Sequence, residues 1–149
     1  MKLNYVNTPD LVNILLVEND ETHIADIQRS FTENKIKNPL YVARDGFEAL
    51  QMLKGEKKDI TVAQPRIVLL DINIPKMHGI DFLISLRRDP KLRSISVFVM
   101  TDSDEERDKV SAYDLNVAGY ILKPTSFEGL TNAMLILSLY WQLCKIPCM

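Results

Sequence analysis

Four places in this chain set chemistry-bearing side chains directly after short apolar runs. Glu18, Asn19, Asp20 and Glu21 follow Val12 to Val17, and Asp71 follows Ile67 to Leu70. Thr101 and Asp102 follow Val97 to Met100, and Lys123 follows Gly119 to Leu122. Clustered carboxylates suit a hard, oxygen-loving divalent cation such as Mg²⁺, which keeps several waters and takes phosphate oxygens where these are present. A lysine supplies a compact positive charge and a threonine hydroxyl supplies a donor, both suited to phosphate oxygens. Brought together, these groups support phosphoryl transfer onto a carboxylate, a reaction that needs positioning and charge neutralisation more than covalent help. Asp71 is the candidate acceptor, because it stands where a buried strand leaves its sheet and opens a loop closed by Pro75 and Gly79.

The apolar runs are too short for helices and read as strands buried on both faces of a parallel sheet. Between them the spacing turns helical. From Thr22, taken as an N-cap, Ile24, Ile27 and Phe31 recur on one face until Asn34 and Lys35. Leu40 to Ala43 is a second strand, and Phe47, Leu50 and Leu53 mark a short helix ending at Gly55, followed by a surface loop from Glu56 to Pro65. Ile80, Leu83 and Ile84 give a third helix stopped by Asp89-Pro90, and Asp104 to Leu115 a charged surface helix anchored by Val110, Tyr113 and Leu115. Five strands alternating with five helices predict an α/β fold, a doubly wound five-stranded parallel sheet of order 2-1-3-4-5, flavodoxin-like. In that order strands one, three, four and five deliver Glu18, Asn19, Asp20, Asp71, Thr101 and Lys123 to one edge.

With 149 residues and 46% hydrophobic content, the chain supports one domain, expected over 12–145 with tails at 1–11 and 146–149. Eighteen basic against twenty acidic residues give a net charge of −2 without a basic block, which argues against nucleic acid or an anionic membrane as partner. The start lacks a signal-peptide core and no apolar run reaches about 18 residues, so a cytoplasmic protein is expected. Cys144 and Cys148 are expected as free thiols, His23 and His78 as surface residues, and Asp102 to Asp108 as a solvated helix start. In the last helix Leu130, Ala133, Met134, Leu137 and Trp141 form one stripe for the sheet. Leu135, Ile136, Leu139, Tyr140 and Leu143 form a second apolar face, for which a homodimer through this helix is expected.

The motifs I-L-L-V-E-N-D, L-L-D-I-N-I-P-K-M-H-G, V-F-V-M-T-D-S and G-Y-I-L-K-P resemble those of the receiver domain of two-component response regulators. The spacings also fit, 30 residues from Asp71 to Thr101 and 22 from Thr101 to Lys123, and the likeness runs from Val12 to Trp141. The resemblance implies a phosphoacceptor signalling domain and not an enzyme, with Asp71 phosphorylated by a cognate histidine kinase. It implies Mg²⁺ held by Glu18, Asp71 and the backbone carbonyl of Asn73, phosphoryl contacts from Thr101 and Lys123, Tyr120 as an aromatic switch, and a cis Lys123–Pro124 bond. Signalling is expected through the face of the fourth helix, fifth strand and fifth helix, toward a separate downstream protein. The loop before the central strand, the Tyr113 region and S-L-Y-W-Q-L resemble the small single-domain regulators that pair with cyanobacterial-type phytochrome kinases.

Three residues depart from the family pattern. Asn19 stands at a metal-binding aspartate position, with the acid moved to Asp20, an alternative ligand. Asp102 follows the threonine where a small residue is usual, and His78 replaces an acid. A neutral amide at position 19 is expected to weaken the metal site without abolishing it. The alternative reading is a pseudo-receiver, a binding module whose metal site Asn19 and Asp102 have degraded. A flavin-binding reading fits less well, because Glu18 to Thr22 is acidic where a phosphate cradle is rich in Ser, Thr and Gly.

Overall fold

Alternation along the strands decides how this chain fills two helical layers at once. Side chains of successive strand residues point to opposite faces, so Leu15, Val17, Val68, Leu70, Val97 and Val99 join one core cluster. Ile14, Leu16, Ile67, Leu69, Phe98 and Met100 join the other. The computed structural model describes residues 11–148. The expected N-terminal tail, apart from Leu11, and Met149 lie outside these residues.

The five strands are β1 (Asn13–Val17), β2 (Leu40–Ala43), β3 (Arg66–Leu70), β4 (Ser96–Thr101) and β5 (Gly119–Leu122). The helices are α1 (Glu21–Glu33), α2 (Gly46–Lys54), α3 (Gly79–Arg88), α4 (Glu106–Asp114) and α5 (Phe127–Leu143). All strand pairs are parallel and the order is β2-β1-β3-β4-β5, as expected from the pattern. No helix among the described residues is long and apolar enough to cross a membrane.

The α1 and α5 helices cover one face through Ile24, Ile27, Phe31, Leu130, Met134, Leu137 and Trp141. Trp141 is fully enclosed beside Phe31, and its indole N–H donates to Asn38 Oδ1 at 3.2 Å. The opposite face is covered by α2 and α3, with Ala112 of α4. Ile146, expected in the C-terminal tail, lies partly buried against the α1/α5 core.

Four local expectations change. Asp20, not Thr22, caps α1: its Oδ1 accepts the backbone N–H groups of Thr22 and His23, and the ionised acid also suits the positive helix end. Val110 and Tyr113 do not anchor α4. Both point to solvent, and the buried residues of that helix are Asp108 and Ala112, with Leu115 half-buried beyond its end. Asp108 therefore is not solvated. Finally, the cis peptide bond among the described residues precedes Pro65, and Lys123–Pro124 is not cis; the ordinary preference of X-Pro bonds is for trans.

Two arginines brace the sheet. Arg66 Nη1 donates to Leu53 O and Val62 O, tying the end of α2 and its following loop to β3. Arg87, on α3, donates to the carbonyls of Arg93, Ile95, Leu115 and Asn116, which fastens the chain before β4 to the end of α4. Gly79 permits the tight β3–α3 turn, because a Cβ there would stand 2.6 Å from Ile72 Cα.

Candidate functional site

Ladder hydrogen bonds continue one residue past three of the strands, and that extension builds the site. The backbone N–H groups of Glu18, Asp71 and Lys123 donate to Ala43 O, Val17 O and Thr101 O, at 2.9, 3.0 and 2.9 Å. Glu18, Asp71, Thr101 and Lys123 thus leave the sheet at the same edge, where parallel sheets bind ligands.

Their side chains meet. Lys123 Nζ lies 2.8 Å from Asp71 Oδ2 and 2.7 Å from Glu18 Oε1. The Thr101 hydroxyl donates to Asp71 Oδ1 at 2.6 Å, and the backbone N–H of Asn73 donates to the same oxygen at 2.9 Å. Glu18 Oε2 accepts the N–H groups of Asn19 and Asp20. Glu18 Oε1 is buried, and the Lys123 ammonium is its ion-pair partner.

The four groups are enclosed, with Lys123 only 9% exposed and Glu18 1%, and the electrostatics follow from that. Burial raises Glu18 to about 7, a rise that Lys123 opposes and Asp71 reinforces. Burial works on Asp71 in the same direction, but Lys123, Thr101 and the Asn73 N–H together hold its carboxyl below the usual range. Lys123 also suffers from burial, yet its two carboxylates keep it above the usual range and charged. Asp71 is therefore an ionised, oriented carboxylate with a cation and a hydroxyl on its two oxygens.

The remaining predicted residues are placed less centrally. The side chains of Asn19, Asp20 and Asp102 are exposed, and Asp20 Oδ1 is engaged in capping α1. Asn73 stands exposed two residues beyond Asp71. His78 is a surface residue whose Nδ1 accepts the Ile80 N–H at the start of α3. Tyr120 is half-buried and its hydroxyl donates to Ser103 O at 2.8 Å.

Two features escaped the sequence reading. His23 is not a surface residue: its side chain is 11% exposed and Nε2 lies 3.8 Å from Glu18 Oε1. Burial and then Lys123 hold its imidazole below the usual range. With Asp20 as N-cap, His23 is the third helical residue and lies beside the strand end. The second feature is Ser103, whose hydroxyl donates to Oδ2 of the buried Asp108 at 2.5 Å while its own N–H reaches Thr101 Oγ1 at 3.4 Å. Ser103 thus touches Thr101, Tyr120 and α4.

A divalent cation fits part of this arrangement. Glu18 Oε1 is a buried carboxylate oxygen paired with the Lys123 ammonium at 2.7 Å, and Asp71 supplies a second acid on the other side of Lys123. Among the described residues no three His, Cys, Asp or Glu side chains are gathered around one point. A hard cation would rest on these two acids, backbone carbonyl and water.

Comparisons with known proteins point to one family. The response regulator receiver domain family matches residues 14–135. A probable methanogenesis regulatory protein, FilR2 of Methanothrix harundinacea, is 36% identical over 131 residues, covering 86% of this chain and 82% of the relative. Response regulator Rcp1 of Synechocystis is 30% identical over 128 residues, covering 86% and 87%. Among solved structures, the phosphorylated cyanobacterial phytochrome response regulator RcpA superposes with a TM-score of 0.84 at 30% identity, over 92% of this chain and 99% of that one. The Mn²⁺-bound form of Rcp1 gives 0.80 at 30% identity with the same coverage.

Proposed function

Because the chain belongs to the response regulator receiver family, we propose that it accepts a phosphoryl group on Asp71 from a histidine kinase, in a Mg²⁺-dependent step, and signals through its α4-β5-α5 face. The single observation that carries this reading is the grip on Asp71. A buried, ionised carboxylate has Lys123 at 2.8 Å from one oxygen and the Thr101 hydroxyl at 2.6 Å from the other.

One carboxylate oxygen of Asp71 attacks phosphorus, the bond from phosphorus to the kinase imidazole breaks, and the electron pair leaves with that nitrogen. Lys123 then faces a dianionic group in place of a monoanion, and Thr101 exchanges its bond to Asp71 for one to a phosphoryl oxygen. Glu18, Asp71 and the carbonyl of Asn73 would hold Mg²⁺, with Asn19 and Asp20 alongside. The cation when bound supplies charge neutralisation for the phosphoryl oxygens.

When Thr101 turns toward the new group, its contact with the Ser103 N–H is released, and the loop that holds Tyr120 and Asp108 loosens. The α4 helix buries little of its own and shifts at low cost. The likeness to Rcp1 and RcpA supports a phytochrome-type histidine kinase upstream. Leu135, Ile136, Leu139, Tyr140 and Leu143 stay exposed along α5, which supports a homodimer through that helix. Strictly monomeric sedimentation, with and without phosphorylation, would refute that part.

The pseudo-receiver alternative rests on Asn19 and Asp102. Both are exposed and outside the Lys123–Asp71–Thr101 contacts, which favours a working receiver. Incubation with a small-molecule phosphodonor and Mg²⁺, read by intact mass, tests the proposal.

A further inference from the structure

Among the described residues, His23 Nε2 and Arg66 Nε are buried side-chain nitrogens with no hydrogen-bond partner, and Glu18 Oε1 is a buried oxygen paired with the Lys123 ammonium at 2.7 Å. His23 Nε2 and Glu18 Oε1 lie 3.8 Å from each other. That separation is too long for a hydrogen bond. It is close to the spacing of two ligands on one cation, which is about 3.0–3.4 Å when each ligand stands about 2.1 Å from the metal. A movement of a few tenths of an ångström in two side chains closes the difference.

We infer that His23 is a selectivity residue of the cation site, placing a nitrogen opposite Glu18 Oε1 so that borderline dications such as Co²⁺ or Zn²⁺ gain over Mg²⁺. The inference rests on the reading that Glu18 and Asp71 hold a cation. An imidazole nitrogen is a good ligand for late first-row metals, whereas Mg²⁺ prefers oxygen and keeps its waters. The neighbouring position adds to the effect. Asn19 presents an exposed amide where a second acid beside Glu18 would strengthen the attraction for any dication. With one acid fewer, the identity of the remaining donors decides more of the preference.

His23 is well held for this role. Its backbone N–H is fixed by Asp20 Oδ1 at the start of α1, and its ring shares the electrostatic surroundings of Lys123, Asp71, Asp20 and Asp102. Ligation through Nε2 requires the ring proton to sit on Nδ1. Lys123 stands between Glu18 and Asp71, which is why these acids and His23 do not yet surround one point. A cation on Glu18 Oε1 competes with that ammonium, which keeps its contact to Asp71.

The test titrates MgCl₂ and CoCl₂ separately into the wild-type chain, His23→Ala, His23→Gln and Glu18→Gln, without phosphodonor. Calorimetry gives affinities, and the visible spectrum of bound Co²⁺ reports nitrogen ligation. His23→Ala is expected to weaken Co²⁺ about tenfold or more, the scale of losses at metal-site positions, while Mg²⁺ stays within about twofold. His23→Gln, which keeps a polar group of similar reach, should match His23→Ala for Co²⁺, and both variants should alter the Co²⁺ spectrum. Parallel changes for the two metals, or an unchanged spectrum, overturn the inference. If Glu18→Gln leaves Mg²⁺ binding unchanged, the cation site itself is wrong and the inference falls with it. If Glu18→Gln weakens Mg²⁺ but His23→Ala preserves the Co²⁺/Mg²⁺ ratio, only the role of His23 falls.

Discussion

Removing one hydroxyl, in Ser103→Ala, should loosen α4 while leaving the sheet intact. Asp108 is 9% exposed and its Oδ2 accepts the Ser103 hydroxyl at 2.5 Å. Without that donor a buried carboxylate oxygen loses a hydrogen bond to a charged group, which costs about 1.5–3 kcal/mol. The helix's remaining buried residue is Ala112, and Arg87 holds only the carbonyls just past its end. A loss of about 2 kcal/mol corresponds to a roughly 30-fold increase in local opening. Native-state hydrogen exchange measures this directly: amides of Glu106–Asp114 should exchange about 30-fold faster, and those of β1 and β3 should be unchanged. Asp108→Asn, which retains an acceptor for the same hydroxyl, should give a smaller effect. Unchanged α4 exchange would show that the Ser103–Asp108 contact does not hold the helix. An equal acceleration in the sheet would show that the cost is global, and either result refutes the reasoning.

Arg87→Ala removes four hydrogen bonds to backbone carbonyls and should cost about 3 kcal/mol, lowering Tm by roughly 6–12 °C in calorimetry. Lysine at the same position should not restore it, because one ammonium cannot reproduce the guanidinium fork. Glu18 makes stability depend on pH with a definite sign. Burial raises its folded pKa from 4.5 to about 7, so the native state binds this proton more tightly than the unfolded chain. Its contribution is fully present below about 4.5 and is lost as pH rises toward 7. Asp71 has the opposite sign, because its pKa is depressed below 3.8, and its contribution is lost only in stronger acid. Glu18→Gln should therefore flatten the decline between these limits in urea denaturation, and an unchanged slope would exclude Glu18 as its source.

The fold was legible because its signals are strong and local. A parallel strand buried on both faces must be continuously apolar, so Ile67 to Leu70 could hardly be misplaced, and Asp71 at its end announced the site edge. Residues whose partners are distant in sequence were not legible. Nothing in the sequence around Arg66 and Arg87 announces their acceptors, which are carbonyls supplied by other loops and elements. Asp108 was hidden in a charge run, where nothing local separates a solvated acid from one that meets Ser103. His23 was not legible because its partner, Glu18, lies across the turn from β1 into α1, and which first-turn side chain faces that acid depends on how the helix leaves the strand end. Nothing local marks which proline follows a cis bond.

The central claim is that Asp71 takes the phosphoryl group, and intact mass spectrometry tests it most directly. Wild-type protein, Asp71→Asn and Lys123→Ala are each incubated with a small-molecule phosphodonor, with Mg²⁺ and with excess chelator. The account predicts that wild type gains the mass of one phosphoryl group only when Mg²⁺ is present, that Asp71→Asn gains none, and that Lys123→Ala gains it more slowly. A phosphoryl-sized gain that persists in Asp71→Asn, or no gain in wild type with Mg²⁺, would contradict it.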